Sequence, residues 1–172
     1  TYNGLGGLHR IGPVPAHGEI PRHVLSWPLP HARILARGPS DQTLWAAEFD
    51  GVVSLVEITN KGEARVERTL KVPGQIYQLE SAKDAVAILH VDPPWPGEEK
   101  WTLVVLDIHG KQRMSASLPT EPLASPLATP PRNRCLRMTD DYVVVGGPSE
   151  ITVWQISSGR VVHRHSAAPP PH

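Results

Sequence analysis

Four similar segments recur along the chain, and each opens with a glycine and closes at a proline about ten residues later. They begin at Gly18, Gly62, Gly110 and Gly159, so the glycines lie about 44, 48 and 49 residues apart. Such spacing is typical of an array of one supersecondary unit. The chain is therefore expected to fold from repeated units rather than around one irregular core.

Three short alternating strands precede each of the last three glycines, so a full repeat is predicted to contain four strands. They are predicted at residues 31–37, 44–49 and 52–58, then 76–79, 85–89 and 101–108, then 135–138, 142–145 and 151–156. Asp50-Gly51 indicates a tight hairpin, because glycine tolerates the positive φ of such turns. The third strands are nearly continuous apolar runs, typical of strands covered on both faces. The fourth strands are more charged, as solvent-facing edge strands are.

Four-stranded units of this period, apolar inside and polar outside, indicate β-propeller blades. The segment from Val143 to Val162 resembles a WD40-type blade, in which a Trp-Asp dipeptide ends the third strand and a Ser/Thr-Gly turn follows. Here Trp154-Gln155 stands at the dipeptide, Ser158-Gly159 forms the turn, and the Gly-His pair of the family is missing. The same residues resemble quinoprotein-like propeller repeats. The resemblance covers residues 33–167 and implies the propeller superfold without choosing a subfamily.

The expected fold class is all-β, a propeller segment of about three and a half four-stranded blades. We expect an extension with the outer hairpin of an incomplete blade (1–30), three blades (31–73, 74–119 and 132–169), a proline-rich linker (120–131) and a tail (170–172). The hairpin strands are predicted at 9–14 and 19–27. Propellers close with four to eight blades. We therefore expect apolar blade faces exposed at both ends, and a ring completed by a second copy, another subunit or further sequence.

Composition excludes several classes of function. The formal net charge is zero, so no global field draws the chain to nucleic acid or to an anionic membrane. No apolar run approaches the roughly 20 residues that a membrane span needs. The single cysteine, Cys135, excludes an internal disulfide and a cysteine-based zinc site, and weakly favours a cytoplasmic location. Cys135 is expected to be a small core residue or, beside arginines, a reactive thiol.

An insertion at residues 92–101 is longer than the hairpin turn it replaces. Loops on a rigid scaffold commonly carry recognition, and exposed tryptophans anchor interfaces. The predicted partner-binding residues are Trp95, Glu98, Glu99 and Trp101. The alternative is that Trp95 folds back over the blade edge. Trp45, Trp101 and Trp154 occupy the second or third strands of successive repeats and are expected to pack between neighbouring blades.

Basic side chains suggest two further sites. Arg33, Arg37, Arg134 and Arg137 lie on or beside the predicted innermost strands, where they could line a cationic channel that binds a small anion. His163 and His165 alternate along one strand and are expected to share a face. Without a third ligand at suitable spacing, we expect solvated histidines rather than a metal site.

The sequence therefore favours a non-catalytic protein–protein interaction scaffold or a subunit of a larger assembly, with no cofactor. Its partner is expected to be a protein that completes the propeller. No nucleophile elbow, zinc-protease motif or paired-carboxylate arrangement is found. The alternative is a small-ligand-binding or quinoprotein-like enzymatic propeller with a cationic central channel. Fold alone does not decide between them.

Overall fold

A computed structural model describes residues 2–3, 7–9, 24–26, 28–59, 63–92, 100–119, 134–147 and 150–166. Throughout these ranges the regular structure consists of β-strands. No helix in this part of the chain is long and apolar enough to cross a membrane.

Fifteen strands are found in the described residues. They are β1 (Tyr2–Asn3), β2 (Gly7–His9), β3 (Val24–Ser26), β4 (Ala32–Arg37), β5 (Thr43–Glu48), β6 (Val52–Ile58), β7 (Ala64–Lys71), β8 (Gln75–Ala82), β9 (Ala85–Asp92), β10 (Lys100–Asp107), β11 (Gln112–Ser117), β12 (Cys135–Met138), β13 (Tyr142–Gly146), β14 (Glu150–Gln155) and β15 (Arg160–Ser166).

Three four-stranded sheets dominate the described residues, and in each the strands pair in sequence order. Blade 1 contains β4–β7, blade 2 contains β8–β11 and blade 3 contains β12–β15, and all pairings are antiparallel. The prediction of an all-β propeller segment is confirmed. Gly51, Gly110 and Gly159 have positive φ angles of 93°, 83° and 65°, as their predicted turns require.

The N-terminal residues form a small sheet of β1, β2 and β3. Pairing of Gly7–His9 with Val24–Ser26 places a hairpin close to the one predicted, although β2 begins before residue 9. The prediction missed β1. The remainder of both predicted strands, and the linker at 120–131, lie outside the described residues.

The first strands of the three blades lie side by side, with β8 contacting both β4 and β12. Polar bonds join them. The Gln78 amide donates to the carbonyl of Arg134 at 2.5 Å, and the Ser81 hydroxyl donates to the carbonyl of Arg37. The sheets therefore meet along their first strands, which is the inner side of a propeller.

Two apolar cores lie between consecutive blades. One joins Trp45, Ala47, Val53 and Leu55 of blade 1 to residues of blade 2, which are Ile76, Leu79, Val86, Ile88, Val104 and Leu106. The other joins the opposite face of blade 2 to Leu136, Val143, Val145 and Trp154 of blade 3. Because blade 2 is covered on both faces, β9 is buried from Ala85 to Val91.

Candidate interaction surface

The predicted partner loop is only partly described. Trp95, Glu98 and Glu99 lie outside the described residues. Trp101 is buried at 5% exposure, with its ring centroid 4.7 Å from that of Tyr77 and the Arg134 guanidinium 5.2 Å from its centroid. Trp101 thus stabilises the packing between blades 2 and 3 at the base of the loop.

The three tryptophans predicted to pack between blades do so. Trp45 belongs to the core between blades 1 and 2, while Trp101 and Trp154 belong to the core between blades 2 and 3. Their exposed fractions are 0%, 5% and 4%. Burial of large aromatic surfaces contributes strongly to stability.

The four arginines predicted for a central channel each contact a group of the protein. Arg37 pairs with Asp41, and Arg137 lies 3.5 Å from the Glu80 carboxylate. The buried Arg134 donates to the carbonyl of Pro119 at 2.7 Å. Arg33 lies 5.9 Å from the centroid of Phe49. Because each of these guanidinium groups already has a partner, the four arginines do not form the cluster of unpaired positive charges that an anion site would need.

Blade 3 presents one face to blade 2 and an opposite face that we call the last-blade face. Cross-strand pairing identifies its residues, because directly opposed residues project on the same side of a sheet. The last-blade face carries Cys135, Arg137, Tyr142, Val144, Gly146, Ile151, Val153, Gln155, Arg160, His163 and His165. His163 and His165 share this face as predicted, opposite Val153 and Ile151. No group of three metal-ligating side chains occurs among the described residues.

Corresponding positions in the three blades differ sharply in burial. Val53, Leu103 and Ile151 each lie five residues before an isoleucine that follows or ends the third strand. Val53 and Leu103 are fully buried, whereas Ile151 is 45% exposed. The second strands show the same contrast, because Ala85 is 2% and Tyr142 41% exposed. In blades 1 and 2 this face is covered by the next blade, and in blade 3 it is exposed.

The two sides of the three-blade arc are not alike. The prediction of an exposed face at the N-terminal end concerns the incomplete blade at 1–30, whose strand side chains lie outside the described residues. On the side of blade 1 away from blade 2, Ala46 and Val56 are fully buried and Ser54 is 1% exposed. The Ser54 hydroxyl lies 3.3 Å from that of Thr69. Leu29, preceding the blade, packs against the same cluster. Only the last-blade face is exposed at an end of the described arc.

Cys135 is exposed, which corrects the expectation of a core residue. Its sulfur lies beside Gly146, where an added Cβ would approach it to 2.6 Å. The neighbouring glycine therefore makes room for the thiol on the last-blade face. The sequence places Cys135 between Arg134 and Leu136 in a short strand, and this pattern does not show which face of the strand lacks a neighbouring sheet.

A buried histidine was missed by sequence reasoning. His90 is 1% exposed, and neither ring nitrogen has a hydrogen-bond partner. Burial lowers the pKa of His90, and the Asp92 carboxylate, 3.9 Å from Nδ1, opposes this shift. The available signal was its place in the apolar run of β9, where alternate residues face blade 1.

Comparisons with known proteins give similarity in fold alone. No family model matches the chain, and no curated protein matches it. The computationally designed Ika8 protein matches with a TM-score of 0.53 and 19% identity, over 76% of this chain and 35% of that one. BamB from Moraxella catarrhalis matches with a TM-score of 0.49 and 18% identity, over 80% of this chain and 36% of that one. The chain spans about a third of the length of these solved structures.

Proposed function

We propose that this chain is a non-catalytic β-propeller segment that serves as a protein–protein interaction scaffold. Its partner docks on the last-blade face and continues the ring of blades. The proposal assigns the protein a role in assembly, with no reaction of its own.

One observation carries this proposal. Val53 and Leu103 are completely buried by a following blade, while Ile151, at the corresponding position, is 45% exposed. Tyr142 adds a second large exposed side chain on the same face. Contiguous apolar surface of this kind commonly marks an interface with another protein. Aromatic residues in such a surface are frequent anchors of binding.

The ligand-binding alternative has weaker support. Arg37 and Arg137 have carboxylate partners, and the Arg134 side chain is buried against Pro119 and Trp101. A small anion would have to compete with these contacts. The docking role requires no rearrangement of the described residues.

The proposal is tested with the tagged full chain expressed in its natural host. The wild type is expected to purify in a complex of defined mass and stoichiometry, measured by native mass spectrometry. Ile151→Asp is expected to abolish the complex, because it places a charge on the last-blade face between Gly146 and His165, where a large apolar side chain is exposed. Val161→Asp is the matched control, since Val161 has nearly the same exposure, 44%, and pairs with Trp154 on the opposite face.

Two outcomes would contradict the proposal. One is a wild-type chain that is monomeric in extracts of the natural host. The other is a complex that Ile151→Asp leaves intact. Circular dichroism of both variants verifies that each remains folded.

A further inference from the structure

The two interfaces within the arc show how one blade meets the next. The Arg68 guanidinium on the fourth strand of blade 1 donates to the carbonyl of His109, in the turn between β10 and β11, at 3.1 Å. In the same turn, an added Cβ on Gly110 would lie 2.6 Å from Leu70 Cδ2. The turn before the fourth strand of one blade therefore packs on the fourth strand of the preceding blade.

The same contact is present between blades 2 and 3. An added Cβ on Gly159, in the turn between β14 and β15, would lie 3.9 Å from the Cβ of Met114 on β11. Met114 pairs with Val105, as Arg68 pairs with Leu55. The corresponding pair in blade 3 joins His163 to Val153. A following blade in the same arrangement would place its turn on His163 and His165.

The ionisable groups of the last-blade face indicate which charge the turn of a following blade should have. Arg160, His163 and His165 are exposed and make no ion pair with other described residues. Arg137, on the same face, lies 3.5 Å from the Glu80 carboxylate of blade 2. The described residues of this face include no aspartate or glutamate. Two such faces packed together would bring basic groups against one another, which opposes symmetric pairing of two copies. A partner with a carboxylate at this position would be attracted instead.

We propose that the last-blade face binds a four-stranded propeller blade that is not part of residues 1–172. This blade presents an apolar second and third strand to Tyr142, Ile151 and Val153. It also carries an acidic side chain in the turn before its fourth strand, next to His163. This inference rests on the proposed function and adds the chemistry and register of the partner.

Cys135 makes the proposal measurable, since it is the single cysteine of the chain and lies on the face in question. The probe is a fusion in which a copy of residues 74–119, which contain blade 2, replaces residues 167–172. Blade 2 is suitable because its second and third strands already pack on a preceding blade. The rate at which 4,4′-dithiodipyridine modifies Cys135 reports coverage of the face.

The appended copy is expected to slow the modification of Cys135 about tenfold or more, because a bound blade excludes the reagent from the interface core. Ile151→Asp in residues 1–166 of the same fusion is expected to restore the rate. The preference for an acidic side chain next to residue 163 is tested with charge pairs. His109→Asp or His109→Lys in the appended copy is combined with His163→Lys or His163→Glu in residues 1–166 of the fusion. Opposite charges are expected to protect Cys135 about two- to fivefold better than like charges, the range for an exposed ion pair.

The possible results separate the two proposals. If no appended copy protects Cys135, the last-blade face does not accept a blade, and both the docking role and the partner assignment are wrong. If protection occurs but does not depend on the charge pairing, the docking role stands and the acidic partner is wrong. If the unfused chain protects its own Cys135 with increasing concentration and sediments as a dimer, a second copy is the partner and the present inference is wrong.

Discussion

His90 is a buried residue of the described core whose ring nitrogens are unsatisfied. It lies on β9 facing blade 1, and both of its ring nitrogens lack hydrogen bonds. A buried polar group without a partner costs about 1–3 kcal/mol. It pairs with Ile76 of the core between blades 1 and 2, and the Asp92 carboxylate lies 3.9 Å from its Nδ1. The fold therefore favours the neutral imidazole.

This burial predicts a pH dependence of stability. Burial lowers the pKa of His90 in the folded chain. As the pH falls below about 6.5, the ordinary pKa of histidine, His90 is therefore protonated more fully in the unfolded chain than in the folded chain. Stability should fall as the pH falls below that value, by up to about 1.4 kcal/mol per pH unit for this one group. Urea unfolding at pH 7.5 and 5.5 should show a smaller loss for His90→Leu than for the wild type.

The exposed His109 offers the control for this experiment. His109→Gln removes an imidazole from an exposed turn and leaves His90 in place, so the loss of stability assigned to His90 should remain. Equal losses of stability in His90→Leu and the wild type would show that His90 is not the source of the effect.

At the level of single residues, sequence reasoning was right where local pattern decides. It placed the tryptophans in the cores and His163 with His165 on one face. It failed for Cys135 and His90, because their environments depend on which neighbouring sheet is present. Cys135 stands in a short alternating strand like many core residues, yet no described blade covers it.

The blade is the element that repeats, and its third strand shows how position in the arc changes the role of similar residues. Leu103 of blade 2 is fully buried and Ile151 of blade 3 is not. Leu103→Asp should destabilise the chain by about 4 kcal/mol or more, because it buries an unpaired charge. Ile151→Asp should cost about 1 kcal/mol or less, mainly through strand propensity. Thermal unfolding of the two variants, followed by circular dichroism, measures the difference.

Equal destabilisation by the two substitutions would show that the last-blade face is covered within the isolated chain. Val153 offers a second comparison with Val105, which is fully buried at the corresponding position in blade 2. The same order of effects is expected for aspartate at these two valines.

The strands of each blade were predicted well from the sequence where glycine turns separate apolar runs. Residues 52–58 and 135–138 agree with β6 and β12 at both ends. The first strand of blade 2 was predicted as 76–79, shorter than β8, because Gln75, Glu80 and Ser81 extend it with polar residues. Glu80 and Ser81 find partners in the neighbouring blades, at Arg137 and Arg37, and a single segment gives no sign of such contacts.

For the whole molecule, the arc of blades explains both stability and assembly. Blade 2 is stabilised by a neighbour on each side, and the two larger apolar cores of the described residues lie on its two faces. Sequence reasoning predicted an incomplete ring that begins with an incomplete blade at 1–30, and the strand side chains of that blade lie outside the described residues. Burial of Ala46 and Val56 beside blade 1 could not be read from their strands, since it depends on packing from outside them.

The central claim is that blades 1 and 2 are each covered by a following blade, whereas blade 3 ends the described arc with an open face. Hydroxyl-radical footprinting of the dilute, isolated chain tests this most directly, because it reports the exposure of individual side chains. We predict that Ile151 and Tyr142 are oxidised much faster than Leu103 and Val53, after correction for intrinsic reactivity. Protection of Ile151 and Tyr142 equal to that of Leu103 and Val53 would contradict the claim.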